Sequence, residues 1–186
     1  LNLTMQVVDA IMCHNGELEL ECYRPKKKTF QDFLSEYSKT YYEKDANASL
    51  IPCTLEGCVV RISDIISYIG RDIEDALRLH IITKNDLPKD IMTTTGYTNK
   101  EIVNYFIRDV INNSFGKDYI KMSKEAFENL KNLKKFNYEH IYSKANSKET
   151  LNKWHDMMEK VFAKSLKDLK EENETSDIYI YFYKYM

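Results

Sequence analysis

Between Thr54 and His80 the sequence sets Asp64, Tyr68 and Asp72 four residues apart, with Arg61, Arg71 and Asp75 in a compatible register. On a helix, at about 100° per residue, these side chains fall within an arc of roughly 100°. The opposite side collects Ile62, Ile65, Ile66, Ile69, Ile73, Ala76 and Leu77. A short aspartate is a hard oxygen donor suited to a divalent ion. A tyrosine and a second aspartate one and two turns further on could read a sugar. A solvated face laced with ion pairs, such as Arg61 with Asp64 and Arg71 with Asp75, accounts for the same spacing. Against a purely solvated face, the stripe holds no lysine and pairs short carboxylates with arginines and one tyrosine, types that suit a fixed polar pocket. Gly57 falls on the same arc and is expected to keep the upper end of the face open. Both readings satisfy the periodicity.

Few other residues offer chemistry. His80 ends the long apolar pattern and is expected to interact with the negative end of a helix. His140, in Tyr138-Glu139-His140-Ile141-Tyr142, is expected to pack among aromatic rings. Met157-Met158 with Phe162 reads as core or subunit interface, and His155-Asp156 lies on the same amphipathic segment. A zinc site from Cys13, His14, Cys53 and Cys58 would need spacings that match no common knuckle, so reduced thiols are expected. Lys26-Lys27-Lys28 reads as a solvated loop, with contact to phosphate or an effector nucleotide as the alternative. No phosphate-binding glycine loop, nucleophile elbow or dinucleotide fingerprint occurs.

These residues need long helices to position them. Only five Gly and three Pro in 186 residues argue against a sandwich of short strands. Thr29 is a candidate cap for a helix carrying Phe30, Phe33, Leu34, Tyr37 and Tyr41. Residues 45–49 read as a loop, and Pro52 and Thr54 open the longest helix, about 55 to 80. Leu87-Pro88 breaks the chain, Thr98 to Glu101 forms a capping box, and Ser123 and Ser147 begin two further helices. The first helix, about 3 to 13, is expected to stop at Asn15-Gly16. The aromatic run near 178–183 could be helix or short strand. The fold class is therefore all-α. A formal charge of −2 provides no basic field for nucleic acid, and no apolar run reaches the ~18 residues of a membrane span. Leu1 and Met186 both fall inside apolar patterns, as though the chain were cut at each end.

The stretch from Thr54 to Ala76 closely resembles the last conserved helix of the HD-domain dGTP and dNTP triphosphohydrolases. The opening Leu1 to His14 resembles the family segment that follows the first metal motifs. Leu87-Pro88 and Met122-Ser123 resemble the family's C-terminal region more loosely. The resemblance implies an HD-domain-like helical bundle, with residues 1–85 as the C-terminal part of the catalytic domain and 86–186 as a helical region packed on it. It implies Asp64 as a metal ligand, Tyr68 packed on the deoxyribose and Asp72 accepting from the 3′-hydroxyl, with His14 as a catalytic candidate. Ile65 stands where some relatives carry a phosphate-contacting lysine, which leaves Arg61 and Arg71 as candidate substrate contacts. No His-Asp pair stands before Asp64, so the remaining ligands are expected upstream of Leu1 and the 186 residues alone are expected to be inactive.

The activity implied is metal-dependent hydrolysis of a nucleotide substrate to nucleoside and tripolyphosphate, with Mg, Mn or a similar divalent metal ion as cofactor in the full-length protein. Action on nucleoside monophosphates or other phosphoesters, or an inactive helical interaction module, are the alternatives. A cytoplasmic homo-oligomer without membrane or nucleic-acid partners is expected.

Overall fold

The computed structural model describes residues 2–14, 20–44, 46–145 and 147–185. The described residues are predominantly helical and fall into two compact units, Leu1–Ile141 and Tyr142–Met186. The first is organised around its longest helix. Helix α1 (Met5–His14) packs along the first half of α3 (Leu55–Arg78), and α2 (Phe30–Tyr42) lies against α1. Thr29 caps α2 as expected, in a reciprocal box with Asp32. The Asn15-Gly16 stop expected for α1, like Asp45 at the start of the expected loop, lies outside the described residues. Ala46–Ser49 form a turn of 3-10 helix.

Helix α3 buries the isoleucine stripe read from the sequence: Ile62, Ile65, Ile66, Ile69 and Ile73 are all in the core. Burying five such side chains contributes on the order of 1.5–3 kcal/mol each against unfolded-state exposure. Its N-terminus is capped by Thr54, whose hydroxyl accepts from the Gly57 amide at 3.1 Å. Its C-terminus closes through paired bonds from His80 N to Leu77 O and Ile81 N to Ala76 O, with His80 in the left-handed region at φ 55°. That reversal ordinarily selects glycine, so His80 serves as a chain-reversing residue at the helix end.

Beyond it come a 3-10 turn (Lys84–Asp86), α4 (Lys89–Thr95), α5 (Asn99–Ser114) and α6 (Lys124–Asn137). Thr98 and Ser123 cap α5 and α6 as expected. Helix α5 crosses α3 at Gly70, where a Cβ would lie 3.1 Å from the Asn99 Cα. Helix α6 ends on Asn137, fully buried, whose amide donates to the Ile69 carbonyl at 3.1 Å. The turn Tyr138–Tyr142 that follows is π-helical, and its His140 ring stacks at 4.7 Å on Phe136 of α6, as the aromatic setting implied.

The expected place of strand needs correction. Strand was expected, if anywhere, in the aromatic tail near 178–183; that segment forms a short helix, α9 (Asp177–Tyr181), and a 3-10 turn (Tyr183–Tyr185). The strand found instead is a two-residue antiparallel pair, β1 (Cys22–Tyr23) with β2 (Ile120–Lys121), tying the chain before α2 to the loop before α6. Helix α4 follows the break at Leu87-Pro88, with Pro88 at its N-cap position.

Lys28 is no solvated loop residue. Its side chain is fully buried between Asp9 and Glu36, with Nζ 2.6 Å from a carboxylate oxygen of each. Gly57 does not hold the helix face open either. A Cβ there would meet Pro52 Cβ at 2.7 Å and Ala10 Cβ at 3.4 Å, so this glycine permits the close approach of α1.

The second unit consists of a short turn α7 (Ser143–Ala145), the 23-residue α8 (Lys148–Lys170) and α9. Ser147 caps α8 by accepting from the Thr150 amide. Helix α8 ends in a second left-handed reversal, at Glu172, with bonds from Glu172 N to Leu169 O and Asn173 N to Asp168 O. Helix α9 returns against α8. No helix among the described residues is long and apolar enough to cross a membrane.

Candidate active site on the long helix

The structure separates the side chains that periodicity grouped together. Asp64 and Arg71 are exposed, while Tyr68 and Asp72 are half-buried. Arg71 Nε lies 3.4 Å from the Asp75 carboxylate, the ion pair the spacing allows, and Arg78 reaches Asp75 and Glu74 in turn. Exposed pairs of this kind are worth only ~0.3–0.5 kcal/mol, so they order the surface more than they stabilise the fold.

Arg61 behaves differently. It is 1 % exposed, donates through Nη1 to the Leu50 carbonyl, and places its guanidinium 5.8 Å from the Tyr23 ring centroid. On the helical wheel it borders Ile65, and at this level of α3 the core extends round the helix because Leu50 and Tyr23 cover that flank. Arg61 thus ties α3 to β1 and to the loop before Pro52. A pocket of about 270 Å³ bounded by Leu20, Cys22, Tyr23, Arg24, Pro52 and Arg61 lies beside it.

His14 sits at the last position of α1 and is half-buried. Its Nδ1 donates to the Ile11 carbonyl at 2.5 Å. A carbonyl only accepts, so Nδ1 carries the proton and Nε2 is left as the acceptor or ligand atom of the neutral ring. His14 lines a largely apolar groove of about 540 Å³ with Val7, Ala10, Ile11, Glu56 and Val60. Glu56, Val60, Asp64, Tyr68 and Asp72 recur every four residues along α3, each step advancing about 6 Å and drifting about 40°. The groove holding His14 therefore opens one turn above Asp64 on the same side of α3. That proximity depends on α1 packing across α3 and has no signal in the spacing of His14 itself.

Asp64 has the donor type for a hard divalent ion and an exposed carboxylate, but it belongs to no group of three potential ligands among the described residues. Among the described residues the one group of three potential ligands within reach of each other is His155, Asp156 and Glu159, all exposed on α8. They are sequence neighbours on one helical face and lie on a different unit from Asp64. The four cysteines are free thiols, with Cys13 and Cys58 buried.

Sequence reasoning missed the most buried polar group of the fold. Asp9 is 0 % exposed, accepts from the Cys53 amide at 2.7 Å and binds Lys28. Lys28 Nζ also lies 3.7 Å from Cys13 Sγ. Burial alone would lower the Lys28 pKa, but hydrogen bonds to Asp9 and Glu36 outweigh it and hold the ammonium above its ordinary value. The one available signal was Asp9 itself, an acid at a position of α1 flanked by Val8 and Ala10.

The described residues of the first unit form an all-α bundle assembled on one long helix, an architecture consistent with an HD-like helical fold. Comparison with known proteins is specific. The chain is 40% identical over 111 residues to the deoxyguanosinetriphosphate triphosphohydrolase-like protein of Caldanaerobacter subterraneus subsp. tengcongensis, covering 60% of this chain and 33% of that one. It is 30% identical over 173 residues to the protein of the same name from Clostridium tetani, covering 90% of this chain and 42% of the relative. A Clostridium perfringens protein so named is 30% identical over 147 residues, 76% of this chain and 35% of its own. The chain belongs with these deoxyguanosinetriphosphate triphosphohydrolase-like proteins, and it spans 33% to 42% of the length of the three. No protein-family model matches the chain, and no solved structure matches it.

Proposed function

We propose that this chain is part of a metal-dependent HD-type phosphohydrolase that cleaves deoxynucleoside triphosphates to nucleoside and tripolyphosphate. The observation that carries the reading is the line of Asp64, Tyr68 and Asp72 along α3 with His14 at its upper end, in a chain whose relatives bear a triphosphohydrolase-like name. In this reading residues 1–85 complete the catalytic domain from its C-terminal side. Asp64 is one ligand of a divalent ion, and the other ligands come from sequence outside these 186 residues. When bound, such an ion supplies charge stabilisation at phosphate and an activated water.

The chain's own residues then have separate tasks. Asp64 fixes one end of the substrate. Tyr68, one turn on, offers a ring face to the sugar, and Asp72, a further turn on, accepts from a sugar hydroxyl. Arg71 is placed to meet negative charge at the open side of the stripe, and its hold on Asp75 keeps it extended along the helix. Arg61, bound to Leu50, positions α3 against β1 and borders substrate through the small pocket beside Tyr23. His14 presents Nε2 to the groove as a proton acceptor.

The test uses the full-length protein, with nucleoside and tripolyphosphate both quantified. Asp64→Ala should abolish turnover of every substrate. Asp72→Ala should lose a charge-assisted hydrogen bond, about 1.5–3 kcal/mol, for nucleotides with a 3′-hydroxyl and little for 3′-deoxy analogues. Equal slowing of both substrates would make Asp72 structural. Release of inorganic phosphate from a monophosphate, without tripolyphosphate from a triphosphate, would favour the phosphomonoester reading. No turnover at all by the full-length protein would leave the interaction-module reading.

A further inference from the structure

We infer that Asp9 is a positioning residue for His14: its buried carboxylate anchors α1 to the start of α3 and so decides where the His14 ring stands along the line of Asp64. The inference rests on the proposed hydrolysis for the task of His14. It adds to that site a residue that touches neither substrate nor ion.

Helix α1 reaches α3 with little apolar grip. Its buried residues are Asp9 and Cys13, while Val7 and Ile11 of its apolar pattern stay 43 % and 55 % exposed. Apolar contacts are non-directional, so a helix held by them alone can slide or roll at small cost. A buried carboxylate cannot follow such a shift, because its oxygens must keep their donors. Asp9 Oδ2 accepts from the Cys53 amide at 2.7 Å, one residue before the Thr54 cap of α3. Its Oδ1 accepts from Lys28 Nζ at 2.6 Å, and Lys28 is held in turn by Glu36 of α2. The close approach of Ala10 to Gly57 sets how near α1 lies; the bond to Cys53 sets its rotation and its height along α3. His14 follows Asp9 by five residues, about 7.5 Å of rise on the same helix. Among the described residues the one hydrogen bond of the His14 ring is to Ile11 within α1 itself. Its place over α3 therefore comes from the helix that carries it, and any shift of α1 moves Nε2 as well.

The test compares Asp9→Asn with Glu36→Gln in the full-length protein. Both remove a carboxylate from Lys28, but only the first disturbs the anchor, since either orientation of an amide turns its NH2 onto Lys28 or onto the Cys53 amide. Asp9→Asn should lower kcat about a hundredfold, the scale of a misplacement of about 1 Å, and change KM little. In a His14→Ala background the same substitution should have no further effect on kcat, because residues that act as a unit are not additive. Glu36→Gln should leave kcat unchanged. Alkylation of Cys13, fully buried on the same helix, reads the placement of α1 without any turnover. Asp9→Asn should speed its labelling at least about tenfold through local opening, and Glu36→Gln should not. Asp9→Glu keeps the charge on a side chain one methylene longer, and it carries the same expectations if circular dichroism shows that Asp9→Asn does not fold. Equal slowing by Asp9→Asn with and without His14 would make Asp9 a scaffold residue and overturn the inference, while the hydrolysis stood. A harmless His14→Ala would overturn it too, leaving nothing to position. A full-length protein that releases no tripolyphosphate would overturn the hydrolysis reading instead. The labelling alone then decides the anchoring, and Cys13 as protected in Asp9→Asn as in the parent would overturn it.

Discussion

Lys28 is held by three elements at once: Asp9 comes from α1, Glu36 from α2, and Asp9 in turn accepts from the Cys53 amide ahead of α3. Removing one member of a buried pair leaves the other's charge uncompensated, which costs roughly 3–5 kcal/mol. Lys28→Met should therefore destabilise the first unit by about that amount, measured by urea denaturation, while Lys27→Met on the same loop should have little effect. The ammonium is held above its ordinary pKa, so its contribution is complete below the unfolded-chain value of about 10.4 and declines as pH rises beyond it. The Cys13 thiol beside it acts in the same direction. Burial, reinforced by Asp9, raises it to about 12, so the neutral thiol's contribution is complete below the unfolded-chain value near 8.5 and is lost above. Cys58 is likewise raised by burial, to about 11. Since the thiolate is the reacting form, alkylation at about pH 8 followed by mass mapping should label half-buried Cys22 well before Cys13 or Cys58. Rapid native labelling of Cys13 would contradict the packing of α1 on α3.

At the scale of elements, caps and close contacts decide where each helix begins and how near its neighbour it lies. Glu101 Oε2 accepts from the Tyr97 and Thr98 amides at 2.9 and 3.0 Å, and Thr98 Oγ1 accepts from the Glu101 amide. The Tyr97 and Thr98 bonds hold the Glu101 carboxyl below its ordinary range. Its support for the start of α5 is therefore present above the unfolded glutamate pKa, near 4.3, and is lost as pH falls through the lower folded value. Thr98→Ala should destabilise by about 1 kcal/mol and flatten that acid-side dependence in a pH-resolved thermal melt. These caps were readable because they are local: a hydroxyl and a carboxylate three residues apart need no tertiary partner. The Gly57 and Gly70 contacts were not, since nothing in their neighbourhood announces which helix will cross there. The same holds for β1 and β2, whose two-residue strands carry no alternation and pair across nearly a hundred residues.

For the molecule as a whole, the isolated 186 residues present one ligand of the proposed metal set. Calorimetric titration with manganese should show no stoichiometric micromolar site. A single tight site abolished by Asp64→Ala would mean that Asp64 finds further ligands within this chain. A weak site lost with His155→Ala would report the exposed trio on α8 instead.

The sequence by itself determined the all-α class, the span and cap of the long helix, its isoleucine face and the family resemblance, because periodicity, capping chemistry and motif spacing are encoded within a few turns of chain. It also placed Asp64, Tyr68 and Asp72 on one line, since the rise and rotation of a helix follow from residue number alone. Only the tertiary structure decided that Arg61, on the same arc by spacing, turns inward to Leu50 and Tyr23, and that His14 comes to the groove above Asp64. It alone decided that one lysine of a three-lysine run is buried between two carboxylates. Those outcomes depend on which elements cover which flank of α3, through contacts spanning eleven to more than forty residues, and burial is a property of the covering elements rather than of the residue covered.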